Sequence, residues 1–550
     1  MAAKIGYSLI LGWILASQAL WGAEPPGNED PGEKIYFDFT FNLTAQRDYP
    51  WLDGQPRPVS FYDSLAAGLF YRSRWLDLNI DFSLLNDKLY SPEESYFGGR
   101  YFAVRDARII FHPSLPLLGL TGGEFTLTAG RGPHRDVVET PYSVFVNANP
   151  LAAVHLDLSY RGGVFFFTDR WIQLNARSRN RYADYSTPGY TPPAVGWTPY
   201  RGTWLDKGAN LKIYGLNLGR WRFGFQDLII YLNRSFDLEF FFNPLPQYFV
   251  QLINSAAGRP GATAGNDNSF MGFFADVKDE KGYAQAQILI NDLNVDFLPF
   301  FSISPAIKTK VAWSLGGYRD FSFGRLGFYH GGATKYTFAA TYTAEHLLSG
   351  AFEGDTGFIE VPYSIFPYEA TYAPATEYTG GGRSFAIDYT RNYLGYKYGE
   401  NNLAFLVDFQ RMFFPRRPLE FGLYASAEWA LNGAKSPANP WHENYYASQS
   451  PDRISLLGGT VEHLLRLQAA LRKPLPLGFI LNLDLTAGVA INAIKLVDVA
   501  PRYGGYVPVP TVPWGEPRIY VPQRGLVEPV FKLTLGFTYR LPVYSGGRWF

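Results

Sequence analysis

The chain has 550 residues, of which 47% are apolar, 17% aromatic and only 18% charged, against about 25% charged in ordinary soluble domains. Lysine plus arginine and aspartate plus glutamate balance at 49 each, and cysteine is absent. Bulk electrostatics therefore give no support to a nucleic-acid partner, and disulfides, thiolate metal sites and cysteine nucleophiles are excluded.

Met1 to Ala23 has the layout of a cleaved export signal. Lys4 precedes an apolar run from Ile5 to Leu15, and small residues follow, with Ser17-Gln18-Ala19 or Ala23 marking the cleavage point. A polar linker occupies residues 24–33. The remainder, 34–550, is expected to form a single domain. Beyond residue 23 no apolar run is long enough for a membrane-spanning helix.

From Lys34 onward the side chains alternate with period two. Ile35, Phe37, Phe39, Phe41, Leu43 and Ala45 share one parity, and Tyr36, Asp38, Thr40, Asn42, Thr44 and Gln46 share the other. The last such segment sets Phe531, Leu533, Leu535, Phe537, Tyr539 and Leu541 against Lys532, Thr534, Gly536, Thr538 and Arg540. Strands send alternate side chains to opposite faces. A soluble sandwich and a membrane barrel both satisfy that pattern, but segment length separates them. These segments match the roughly 9–11 residues of a tilted membrane strand, and aromatics sit at their ends as interfacial girdles require. Roughly twenty segments can be counted, near 35–46, 60–71, 74–85, 101–113, 124–131, 153–161, 163–176, 206–217, 221–232, 268–278, 282–292, 306–317, 321–330, 335–345, 383–391, 402–412, 420–431, 455–471, 478–492 and 529–541. Phe405 and Phe537 are expected to face lipid, and Asp408 and Thr538 the lumen.

Connections alternate in length. Asn217 to Gly219, Asp279 to Gly282 and Lys473 to Leu477 fit short periplasmic turns. Ser178 to Trp204, Asn233 to Asn266, Asn432 to Pro451 and Lys495 to Leu526 fit long external loops. A simple alternating count leaves Glu345 to Gly382 periplasmic, which is at odds with its length.

No catalytic constellation is present. The seven histidines (His112, His134, His155, His330, His346, His442 and His463) show no metal-ligand spacing. Ala312-Trp313-Ser314-Leu315-Gly316 lacks the first glycine of a nucleophile elbow and sits within a strand-like run. Arg131-Gly132-Pro133-His134-Arg135-Asp136 is basic but is not a phosphate loop, since no GK[ST] follows. Asp267, Asp292 and Asp296 lack the spacing of a calcium loop. No enzyme activity, cofactor or metal is expected.

In the middle of the chain Phe225-Gln226-Asp227-Leu228 leads to Phe241-Phe242-Asn243-Pro244-Leu245 and then Gly265-Asn266-Asp267-Asn268. Tyr283-Ala284-Gln285, Ile290-Asn291-Asp292, Tyr389-Thr390 and Leu394-Gly395-Tyr396 follow. Over about residues 125–408 this order resembles the capsule-assembly Wzi-like family of outer-membrane barrels. The resemblance implies an 18-stranded barrel that holds or assembles surface polysaccharide by lectin-like contact rather than transport. One departure stands out: the family places a small helical region before the barrel, whereas here the first strand-like segment follows directly on the short linker.

The combined expectation is an all-β, antiparallel up-and-down transmembrane barrel of about 18 strands, with 16–20 allowed. It is exported to the bacterial outer membrane and folded there by barrel-insertion machinery, with the lipid bilayer and surface polysaccharide as partners. Planar rings stack on sugar faces and arginine recognises acidic sugars. The candidate polysaccharide contacts are Tyr185, Tyr190, Trp197, Tyr200, Arg179, Arg181 and Arg201 on one external loop, with Asp267 and Asn268 next. The alternative is a general or substrate-selective porin, because a barrel of this size has room for a water-filled lumen.

Overall fold

The computed structural model describes residues 33–47, 59–86, 100–113, 123–148, 152–175, 207–232, 234–254, 267–292, 309–335, 337–338, 394–413, 420–434, 456–498, 518–545 and 548–549. The export signal falls outside these residues.

Eighteen strands close into an antiparallel barrel. In chain order they are β1 (Lys34–Arg47), β2 (Ser60–Arg72), β3 (Leu76–Leu85), β4 (Tyr101–Phe111), β5 (Glu124–Gly132), β6 (Ala153–Gly162), β7 (Phe165–Asn175), β8 (Lys207–Leu218), β9 (Trp221–Leu232), β10 (Asp267–Asp279), β11 (Gly282–Asp292), β12 (Lys310–Phe321), β13 (Gly324–Ala333), β14 (Asn402–Phe413), β15 (Phe421–Asn432), β16 (Glu462–Pro474), β17 (Phe479–Ile491) and, after a small ribbon, β20 (Val527–Ser545). The ribbon, β18 (Ile494–Asp498) with β19 (Arg518–Pro522), lies within the last long connection.

Each strand pairs with its sequence neighbour, and β20 pairs with β1 from Lys34↔Ser545 to Arg47↔Phe531. Closure removes the unpaired edge that hydrocarbon does not tolerate. Side-chain chemistry marks this seam. Hydroxyls meet at Thr40–Thr538 and Thr44–Thr534, each 3.2 Å, and Arg540 donates to both oxygens of Asp38 at 2.8 and 2.7 Å.

The alternation sorts as expected. On β1, Phe39 and Leu43 are exposed outward while Asp38, Thr40, Asn42, Thr44 and Gln46 are buried inward. On β20, Phe537 is exposed and Thr538 buried. Phe405 shares the parity of exposed Val407, and Asp408 that of buried Ala404 and Leu406. Two aromatic belts line part of the outer wall. One runs Trp313, His330, Phe405, Trp429, His463, with ring centroids 6.2, 4.5, 5.9 and 6.0 Å apart. The other, at the short-turn end, includes Phe321–Phe323, Phe413–Phe421 and Phe479–Tyr539.

The strand count corrects the sequence reading at two segments. β13 pairs directly with β14 from Arg325↔Gln410 to Ala333↔Asn402, so neither 335–345 nor 383–391 adds a barrel strand between them. Lys335, Thr337 and Phe338 lie in a turn, and the rest of both segments lies outside the described residues. With both removed, the connection containing Glu345 to Gly382 falls at the long-loop end, which resolves the conflict in its placement. The short turns behave as expected, with Gly219 taking φ +67° between β8 and β9, a conformation that suits glycine.

Candidate functional site

Two segments from the long-loop end turn inward and cross the lumen. The first is the β5–β6 connection, which begins in Arg131-Gly132-Pro133-His134-Arg135-Asp136. Tyr142, Ser143, Val144, Phe145 and Val146 are all essentially inaccessible. The second, Leu394 to Asn401, leads into β14 and is equally buried at Leu394, Tyr396, Glu400 and Asn401. Asn147 N–H donates to the Leu394 carbonyl at 2.6 Å, joining the two.

Asp136 organises the plug. Its Oδ1 accepts from Val137 N–H and from Gln226 Nε2 on β9, each at 2.7 Å. Its Oδ2 accepts from Gln287 Nε2 on β11 at 3.0 Å and from Phe145 and Val146 N–H at 3.2 and 3.1 Å. One carboxylate thus fixes a tight loop and ties it to the wall through charge-assisted bonds. On one side Arg170 of β7 donates to the Arg135 carbonyl at 2.5 Å. On the other side the Tyr142 hydroxyl donates to Glu428 of β15 at 2.8 Å. Strands β7 and β15 stand eight apart in an 18-strand barrel, so the segment reaches nearly from wall to opposite wall.

Glu428 also accepts from Lys397 Nζ at 2.6 Å and Arg466 Nη2 at 2.7 Å. The rings of Tyr142, Tyr396 and Tyr398 lie 6.1–6.4 Å apart around this centre. Burial lowers the Lys397 ammonium from its ordinary value, with Glu428 pulling the other way. Burial and the neighbouring Glu428 hold the Tyr142 hydroxyl well above its ordinary value, so it remains a proton donor. Around these polar ties the inner wall is apolar, and Ile172, Leu211, Leu228, Ile230, Phe270 and Leu289 pack on Val144, Phe145 and Tyr396.

A second layer covers the outside of the same wall. The β9–β10 connection forms two short helices, α1 (Leu238–Phe242) and α2 (Gln247–Asn254), capped at Asp237, whose carboxylate accepts from Glu239 and Phe240 N–H. This clasp buries Phe240 and Val250 against Ile229 and Tyr231, the outward face of β9, as a cluster separate from the plug. Beneath it lie outward-pointing polar groups. Lys212 Nζ is 3.8 Å from Asp169 Oδ2 and donates to the Asn243 carbonyl. Asp227 Oδ2 accepts from Tyr248 N–H at 3.2 Å, and the Tyr214 hydroxyl donates to the Pro244 carbonyl at 2.9 Å.

These placements explain the segments that carry the family resemblance. In Phe225-Gln226-Asp227-Leu228 the strand sends Gln226 inward to the plug and Asp227 outward to the clasp. Asn243-Pro244-Leu245 is the clasp turn that receives Lys212 and Tyr214. Leu394-Gly395-Tyr396 is the second plug segment.

Of the predicted contact residues, Tyr185, Tyr190, Trp197, Tyr200, Arg179, Arg181 and Arg201 lie outside the described residues. Asp267 is 3% exposed at the start of β10, under the clasp, with Arg234 Nη2 3.7 Å from its carboxylate and Gln251 Nε2 donating to its carbonyl at 3.0 Å. Its place is that of a clasp anchor. Asn268, next along the strand, is half-buried. The structure thus does not bring Asp267 to an open surface, and the plug centre at Asp136, Tyr142 and Glu428 was not singled out from sequence. Among the described residues, no cluster of three or more His, Asp or Glu is arranged to hold a metal.

A closed barrel with a lipid-facing apolar wall, two aromatic belts and long connections at one end defines an outer-membrane β-barrel protein. No protein-family model matches the chain, and no curated protein matches it in sequence. Among solved structures it is similar to Wzi of Escherichia coli, described as a carbohydrate-binding outer-membrane barrel involved in group 1 capsule assembly. Identity is 10%, with 97% of this chain and 89% of that one covered and a TM-score of 0.47. It is also similar to Pseudomonas aeruginosa OccK7 (8% identity, 93% and 99% covered, TM-score 0.39) and OccK11 (10%, 94% and 98%, TM-score 0.40). These likenesses concern the barrel architecture alone.

Proposed function

We propose that this outer-membrane barrel helps assemble or retain surface polysaccharide at the cell exterior by non-catalytic, lectin-like contact. The observation that supports this reading over the porin is the plug. Its segments cross the lumen, are joined to strands on opposite sides by hydrogen bonds, and are packed in an apolar collar. A diffusion pore needs a continuous aqueous path there instead. The barrel then acts as a rigid base that presents its long outer connections. On the connection from Ser178 to Trp204, Tyr185, Tyr190, Trp197 and Tyr200 supply rings for sugar faces, and Arg179, Arg181 and Arg201 supply donors for acidic groups. Buried Asp267 belongs to the scaffold of this reading, not to its contact surface.

A substrate-selective channel is the second reading. It is favoured by the polar inner face of the seam, where Thr40, Asn42, Thr44, Ser64, Thr534 and Thr538 point inward. The test is a Trp197→Ala, Tyr200→Ala variant that still inserts and folds. Each lost ring is expected to weaken binding by about 1 kcal/mol, multiplied along a polymer by multivalency, so surface polysaccharide is shed into the medium. Unchanged retention with open-channel conductance favours the channel.

A further inference from the structure

The wall beside the clasp carries a trough that the lumen reading does not use. Outward residues on β8–β12 line up in rows. One row runs Tyr214, Phe225, Phe273, Ile288, Trp313, following the pairings Tyr214↔Phe225, Phe225↔Phe273, Phe273↔Ile288 and Ile288↔Trp313. In the next row toward the short turns the centre drops to Ala275 and Ala286, a direct cross-strand pair. The result is a groove of about 770 Å³ on the outer wall, floored by these alanines and walled by rings. That volume lies within the roughly 300–1,000 Å³ of ordinary ligand sites.

The polar atoms that line the groove are already engaged. The Tyr214 hydroxyl donates to the Pro244 carbonyl at 2.9 Å. Trp313 Nε1 donates to His330 Nε2 at 3.0 Å, and His330 Nδ1 is 2.9 Å from the Ala404 carbonyl. Gln287 turns to the lumen, where its amide bonds Asp136, Gln226 and Val144. A sugar or a charged headgroup finds no free donor on this surface, whereas hydrocarbon needs none.

The groove is also continuous with the apolar barrel wall. Phe273 is 58% exposed within it, and on the clasp beside it Leu238, Phe242 and Phe249 are exposed outward. We propose that this groove is a resident-lipid site that holds acyl chains of a membrane lipid, with the clasp standing above it on the long-loop side.

The test uses the full barrel reconstituted in phosphatidylcholine vesicles that contain a phosphatidylcholine with a diazirine in mid-chain. After photolysis, cross-links are mapped by peptide mass spectrometry. The expected result is labelling several-fold higher on peptides carrying Phe273 to Ile288 and Trp313 than on the seam peptide carrying Phe39 and Leu43. Ala286→Trp, which fills the floor, is expected to erase that excess while seam labelling stays unchanged. Heat-modifiable gel mobility reports whether the variant folds, and if it does not, the wild-type map decides. Even labelling around the wall, or an excess that survives Ala286→Trp in a folded barrel, overturns the proposal.

Discussion

The seam formed by β20, β1 and β2 and the wall formed by β7 to β10 are built from the same kind of strand but carry different numbers of layers. At the seam, one face meets lipid and the other the lumen, so apolar and polar residues largely alternate, with Tyr62 and Ala66 among the inward exceptions. On the β7–β10 wall the upper half is covered on both sides, by the plug within and the clasp without. There Leu228-Ile229-Ile230-Tyr231 is apolar throughout, because Leu228 and Ile230 meet the plug while Ile229 and Tyr231 meet the clasp. Polarity is even inverted below it, where Asp169, Lys212 and Asp227 point outward from the barrel and stay buried. The period of a strand reports its geometry, and the polarity of each face reports what covers it.

Removing the cation from the covered wall has the largest expected effect. Lys212→Met leaves Asp169 and Asp227 buried without it and is expected to cost about 3–5 kcal/mol, measured by urea unfolding in detergent micelles. Adding Asp169→Leu should recover part of that loss. At the seam, Asp38→Asn breaks a pair whose arginine side chain is 50% exposed, and is expected to cost about 0.2–1 kcal/mol. Equal losses at the two sites would dissolve the distinction between the walls.

Next in size is the lipid face of the seam. Phe537→Arg should cost about 2–4 kcal/mol at mid-bilayer depth and much less near an interface, while Thr538→Arg, one residue along and facing inward, should cost far less. Folding titrations into vesicles read both. Tyr142→Phe removes one hydrogen bond to a charged partner, worth about 1.5–3 kcal/mol. It is expected to loosen residues 136–146, read as faster amide exchange there with the seam unchanged.

The mildest perturbation needs no substitution. His134, buried in the plug and faced by Arg170, His155 and Arg108, is held well below the ordinary histidine value, first by burial and then by Arg170 and His155. A depressed folded value means that the released plug takes up the proton more readily. Stability is therefore complete above the ordinary value of about 6.5 and is lost as pH falls below it. Proteolysis of the plug should accelerate on acidification, and His134→Gln should flatten that response.

Much of the barrel was legible because alternation is enforced on every single-layer strand. Strand bounds near 35–46, 221–232 and 282–292 fall within a residue or so of those observed. The count of twenty overshot because alternation carries no information about closure: 335–345 alternates, yet β13 already has its partner in β14. The clasp was hidden within a connection read as an external loop, since helices of five and eight residues carry too little periodicity to stand out. The plug centre left no signature either. Asp136 acts through Gln226, Gln287 and three backbone N–H groups, two of them nine and ten residues along the chain, and its basic surroundings were tested only against the pattern of a phosphate loop. Asp267 stood out through the resemblance around Gly265-Asn266-Asp267-Asn268, and the clasp that covers it lies in the preceding loop.

Hydrogen-bonded plug segments cross the lumen between opposite walls and are expected to close it to ions. Single-channel recording of the purified barrel in planar bilayers tests that closure most directly. Wild type is expected to show no steady open-channel conductance, and Asp136→Ala, which removes the acceptor of both wall amides and of three plug N–H groups, is expected to produce flickering openings. Steady, large conductance from wild type, unchanged by Asp136→Ala, would contradict the account.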